Sequence, residues 1–165
     1  MPSELAGPAF LSILLAAAAL TAWLRRFNAP DGVRLLPAAA AATACQAIHV
    51  AEEFAGGFHR RAPELFGLEE WSAVFFISLN LVWLSIWSLA LGRLGRGQLH
   101  MLTAILFWFL ALASVGNGIW HPLSCVITGG YFPGLFSSLL ALPLGLWLLR
   151  RLLESASAGP AASGG

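Results

Sequence analysis

The sequence predicts an all-α membrane protein: a polytopic bundle of about five transmembrane helices, N-terminus outside and C-terminus inside. Three observations carry this. Of 165 residues, 58% are hydrophobic and 10% charged, and the mean hydropathy is +0.77, which leaves too little polar surface to cover a soluble core. Five apolar runs long enough to span are separated by charged or helix-breaking segments. The basic residues, all arginine, fall unequally on alternate connections.

The first run extends from about Pro8 to Leu24 and stops at Arg25-Arg26. Because Met1-Pro2-Ser3-Glu4 lacks a basic leader, the run is expected to be a retained helix rather than a signal peptide. Asn28-Ala29-Pro30-Asp31-Gly32 is a breaker cluster. The second helix is expected from Leu35 to Phe54, with Pro37 in its first turn, where a missing N–H does no harm. Its alanines allow close approach of neighbouring helices. Gly56 to Glu70 is expected as a polar loop, with Trp71 marking re-entry at the interface. The third helix runs to about Leu91 and holds one strongly polar group, Asn80, expected to bond a neighbouring helix. The fourth is expected from Leu99 to Trp120, because Pro122 biases His121 out of the helix. The fifth runs from Pro133 to Leu149 and ends at Arg150-Arg151. Residues 1–154 thus read as one helical domain, and 155–165, small residues apart from one proline, as a disordered tail.

Orientation follows from the arginines. Arg25, Arg26, Arg34, Arg93, Arg96, Arg150 and Arg151 fall on one side, and Arg60 and Arg61, beside Glu64, Glu69 and Glu70, on the other. The heavier side is the cytoplasmic one, in the inner membrane of a cell. With a net charge of +1, no nucleic-acid partner is expected. The two cysteines, Cys45 and Cys125, lack metal-site spacing and are not expected to pair.

Within this apolar chain, His49, Glu52 and Glu53 need a reason. A charged acid near the middle of a spanning helix costs roughly 2.5–3.5 kcal/mol. At about 100° per residue the three side chains share an arc of roughly 100°, with Gln46 one turn earlier on the same stripe. The expected topology brings Asn117, His121 and Tyr131 to the same membrane leaflet. Trp83, Trp87 and Trp108 lie deeper and either pack or line an apolar pocket, whereas His59 and His100 are expected in water. The set suits three chemistries: a zinc or iron site on His49, Glu53 and His121, acid/base catalysis between a protonated and an ionised glutamate, or a proton or cation path. The bland alternative is that Glu52 and Glu53 sit near water, neutralised by Arg60 and Arg61.

His49-Val50-Ala51-Glu52-Glu53, a second histidine downstream and Tyr131-Phe132-Pro133-Gly134 together resemble the HxxEE family of small bacterial membrane proteins, from helix two to helix five. The resemblance implies an enzyme-like site on His49, Glu52, Glu53, Tyr131, Pro133 and Gly134. It leaves the second histidine open between His121 and His100; topology favours His121.

The function expected is a membrane-embedded enzyme. His49, Glu52, Glu53, Asn117, His121 and Tyr131 would carry acid/base chemistry, such as hydrolysis, isomerisation or cyclisation, on a hydrophobic lipid- or isoprenoid-like substrate. A divalent metal on His49, Glu53 and His121 is one form of this reading. A small proton-coupled transporter and a non-catalytic subunit are its rivals, and the alanine and glycine faces would also suit a homo-oligomer.

Overall fold

The computed structural model describes residues 6–24, 32–97 and 100–157. Among them the chain forms six helices and no strand: α1 (Ala6–Leu24), α2 (Gly32–Ala55), α3 (Phe58–Glu64), α4 (Ala73–Gly95), α5 (Met101–Thr128) and α6 (Leu135–Ser157). The five expected long helices correspond to α1, α2, α4, α5 and α6. Arg25-Arg26, the breaker from Asn28 to Asp31, and 158–165 of the expected tail lie outside the described residues. Ser155 to Ser157 belong to the last turn of α6.

Three corrections to the expected elements have physical causes. The segment expected as a polar loop contains α3, which follows Gly57 in the left-handed region (φ 75°). Phe58 anchors it, packing on Trp71, Phe76, His121 and Phe132. Next, α5 does not stop at Trp120 but continues through Pro122 to Thr128, capped by Gly129. The proline deprives one carbonyl of its donor, but in an apolar setting unwinding would orphan several backbone groups, so the helix persists. His121 is therefore a helix-interior residue. Finally, α2 begins at Gly32, which places Pro37 in its second turn rather than its first.

Helix α5 packs along α6 and α1, while α2 packs on α6 and α4. Small residues set how closely α5 and α6 approach. A Cβ on Gly118 would overlap the Leu142 side chain, and one on Gly145 would stand 2.8 Å from Ser114 Cβ. The glycines flanking Asn117 are thus not a ligand cradle: Gly118 accommodates Leu142, and Gly116 meets nothing. Away from the site, Trp83 and Trp87 pack on Phe109 with ring centroids 4.6 and 5.7 Å apart, and Trp108 is buried in the same cluster. Asn80 donates to the Phe76 carbonyl of its own helix (2.9 Å), not to a neighbouring one.

α4, α5 and α6 are long and apolar enough to cross a membrane, and α1 adds a shorter apolar stretch, Ser12–Trp23. α4 leaves Val74, Leu81, Val82 and Leu89 more than half exposed. In water such a face would drive association; against lipid it matches its surroundings. The fold is that of a membrane protein.

Candidate metal centre

His49 and Glu53, one turn apart on α2, face the same direction, and His121 on α5 meets them. Both imidazoles are fully buried and Glu53 is 6% exposed. Glu53 Oε1 lies 3.4 Å from His49 Nε2 and 3.3 Å from His121 Nε2. The rings meet edge to face, centroids 4.6 Å apart at 87°. His49 Nε2 and both nitrogens of His121 have no hydrogen-bond partner among the described residues. The three potential ligand atoms lie within 4.8 Å of one another.

Among the described ion pairs, neither Arg60 nor Arg61 meets Glu52 or Glu53. Arg61 Nη1 donates to the Tyr131 carbonyl (2.9 Å), and its guanidinium lies over the Phe132 ring at 5.4 Å. Among the described ion pairs, Glu53 faces the two imidazoles alone.

Glu52, about 100° round the helix from Glu53, turns to α6 instead. Its Oε1 accepts from the Phe136 N–H (3.0 Å) and the Tyr131 hydroxyl (2.9 Å). Its Oε2 accepts from the Ser137 N–H (2.7 Å) and hydroxyl (2.5 Å). The first N–H groups of a helix lack internal partners and favour negative charge, so Glu52 caps α6 from a distant part of the chain. Ser137 Oγ is also 2.8 Å from His49 Nδ1. Partial burial and the hydrogen bond to the Glu52 carboxylate push the Tyr131 phenol above its usual range.

Each residue of Tyr131-Phe132-Pro133-Gly134 now has a place. The tyrosine bonds Glu52. Phe132, fully buried, packs on Phe58 (5.8 Å between centroids) and His121 (6.1 Å). Pro133 closes on Gly56, where a Cβ would come within 2.7 Å of its own Cβ. Gly134 (φ 93°) lies flat on both imidazoles, and a Cβ there would stand 2.5 Å from His121 Cε1 and 2.9 Å from His49 Cε1.

Of the expected site residues, the structure thus gathers His49, Glu52, Glu53, His121 and Tyr131 around the start of α6. Asn117 is half-buried one turn before His121, and no described hydrogen bond involves its side chain. His100 is exposed at the opposite end of α5, about 30 Å from His121 along the axis, so of the two it is His121 that meets His49 and Glu53. His59, expected in water, stacks on Phe54 (centroids 5.8 Å apart), with its Nδ1 buried. Ser137 lies beyond the motif that ends at Gly134 and is not among the residues expected in the site. Its only signal was a hydroxyl in the first turn of the next helix.

A family model described as "Protein of unknown function with HXXEE motif" matches residues 40–148. No curated protein and no solved structure matches.

Proposed function

The chain belongs to the HXXEE family, and on that premise we propose that it is a membrane-embedded enzyme. His49, Glu53 and His121 hold a divalent metal, zinc or iron, for acid/base chemistry on a hydrophobic, lipid- or isoprenoid-like substrate. One observation carries this reading: two imidazole nitrogens face one carboxylate oxygen at 3.3 and 3.4 Å in a buried site. Donors about 2.0–2.1 Å from a common ion in a tetrahedral array stand about 3.3–3.4 Å apart. The two carboxylate–imidazole separations therefore match those about an ion, and all three donors lie within 4.8 Å of one another.

The group comprises three residues. Structural zinc sites have four protein ligands, whereas catalytic ones keep a position open, and two histidines with one carboxylate also suit non-haem iron. Such an ion supplies a Lewis acid and an acidified water. The chain's own groups do the rest. Phe58 and Phe132 exclude water from His121. Tyr131, 41% exposed and held by Glu52, presents its ring against that of Phe136 at the rim. An open depression of about 340 Å³, lined by Arg61, Glu64, Leu65, Ile127, Thr128 and Phe132, shares Phe132 with the surroundings of His121.

The long helices cross the inner membrane five times with the N-terminus outside, as the arginine bias indicates, and the site sits toward the outer leaflet. The test is metal analysis of detergent-purified protein, with turnover of a total lipid extract followed by mass spectrometry. Wild type should carry zinc or iron in equal proportion to chain. Glu53→Gln and His121→Gln should stay monodisperse, lose the metal and lose turnover. Wild-type protein that is well folded, metal-free and unable to bind added zinc or iron overturns the proposal.

A further inference from the structure

We infer that Glu52, Ser137 and Tyr131 are positioning residues that fix the tautomer of His49, holding the proton on Nδ1 and leaving Nε2 as a bare lone pair toward Glu53 and His121. The two glutamates of the motif then have different tasks: Glu53 faces the imidazoles, and Glu52 sets one of them.

The inference follows from counting protons. A serine hydroxyl has one proton to donate and two lone pairs, and an ionised carboxylate only accepts. Ser137 Oγ lies 2.5 Å from Glu52 Oε2 and 2.8 Å from His49 Nδ1. Its one other acceptor, the Gly134 carbonyl, is 3.4 Å away. Glu52 already receives three other hydrogen bonds, from the N–H groups of Phe136 and Ser137 and the hydroxyl of Tyr131. Four donors thus converge on its two oxygens, the pattern of an acceptor-only carboxylate. The serine proton goes to Glu52, because a charge-assisted hydrogen bond is roughly twice as strong as a neutral one. Ser137 Oγ must then accept from His49, so Nδ1 carries the hydrogen. The opposite tautomer would require the serine to turn from the carboxylate and donate to Nδ1, giving up the stronger bond for the weaker.

Burial makes the arrangement decisive. His49 is fully buried, and its Nε2 has no hydrogen-bond partner among the described residues. A histidine that ligates through one nitrogen is oriented by what its other N–H bonds, and Ser137 supplies that acceptor from a third helix. Tyr131 and the α6 N–H groups hold Glu52, Glu52 holds Ser137, and Ser137 holds His49. The consequence for metal affinity rests on the proposed function; the tautomer itself does not.

The test uses full-length, metal-free protein labelled with ¹⁵N-histidine, with His49 assigned by its loss in His49→Gln, and a separate zinc titration. Wild type should show the Nδ1–H form of His49. Ser137→Ala should give a tautomer mixture and weaken zinc binding about 10–100-fold, the usual effect of removing an outer-shell partner. Ser137→Thr, which keeps the hydroxyl, should restore both, and Glu52→Gln should move both in the direction of Ser137→Ala. A purely structural serine would lower the melting temperature without moving the ¹⁵N shifts. An Nε2–H form in wild type, or an unchanged tautomer in a folded Ser137→Ala, overturns the inference. The wild-type spectrum decides even if the variants misfold. Wild type with the Nδ1–H form but no zinc affinity would remove the metal centre and leave this inference standing.

Discussion

Gly134→Ala probes the contact on which the site is built, and Gly129→Ala is its internal control. Both glycines have positive φ, 93° and 71°, so alanine at either incurs left-handed strain of about 1–2 kcal/mol. At Gly129 the new methyl meets nothing within 4 Å. At Gly134 it would stand 2.5 Å from His121 Cε1, 2.7 Å from its Nδ1 and 2.9 Å from His49 Cε1. Both rings are fully buried and cannot retreat into solvent, so overpacking adds about 1–3 kcal/mol. With about 2–4 °C of melting temperature per kcal/mol at this chain length, Gly129→Ala should lower the apparent melting temperature by about 2–8 °C. Gly134→Ala should lower it by several degrees more. The separation of the two variants should be larger still in zinc titration: displaced imidazoles should weaken binding about 10–100-fold in Gly134→Ala, while Gly129→Ala should bind as wild type. If the two variants match in both melting and zinc affinity, the glycine is not the floor of the site.

Tyr131 is the only tyrosine, so the ultraviolet absorbance of phenolate reports it alone. Burial and the Glu52 hydrogen bond raise its pKa; its stabilising contribution is therefore complete below the unfolded value near 10 and fades as pH rises through the folded value. Its titration should run above that of free tyrosine and move down in Glu52→Gln, and Tyr131→Phe should remove this part of the alkaline loss of stability; a midpoint at or below the free value contradicts the bond. For the membrane arrangement, single cysteines at positions 60 and 93 in a Cys45→Ala, Cys125→Ala background should react with an impermeant maleimide from outside the cell and from inverted vesicles respectively. Labelling of both from the same side removes the five-span orientation.

The helices were legible in sequence because, in an apolar chain, a run of spanning length has no competing structure. The ends were less so. Pro122 carries a sound local signal for termination, but in apolar surroundings the cost of orphaned backbone groups outweighs one missing hydrogen bond. Helical periodicity put His49, Glu52 and Glu53 on one face. It could not show that the 100° between the two glutamates is enough to send one to α6 and the other to α5, since that depends on where those helices sit. Ser137 was illegible for a related reason. A serine in the first turn of an apolar helix ordinarily bonds its own backbone, as Ser138 does with the Leu135 carbonyl at 2.6 Å. Only the tertiary meeting of α2 and α6 gives Ser137 a different partner.

A proton is the other cation that could quiet this cluster, and the two occupants make different demands on His121. A proton on Glu53 Oε1 can be given to His49 Nε2, 3.4 Å away, while a neutral His121, which carries one N–H, can turn that N–H to the same oxygen at 3.3 Å. His121 Nδ1 is then a buried lone pair without a donor among the described residues, and a buried polar atom left unbonded costs about 1–3 kcal/mol. A metal ion on Nε2 would instead move the His121 hydrogen to Nδ1. Its own penalty lies at His121, whose Nδ1 faces Gly134 without an acceptor, so ligation through Nε2 buries an unbonded N–H at about the same 1–3 kcal/mol. The penalty at His121 Nδ1 is therefore about the same for either occupant, so it does not choose between them; it identifies His121 as the less well supported of the two imidazoles, since Ser137 gives His49 Nδ1 a partner and no described residue gives His121 Nδ1 one.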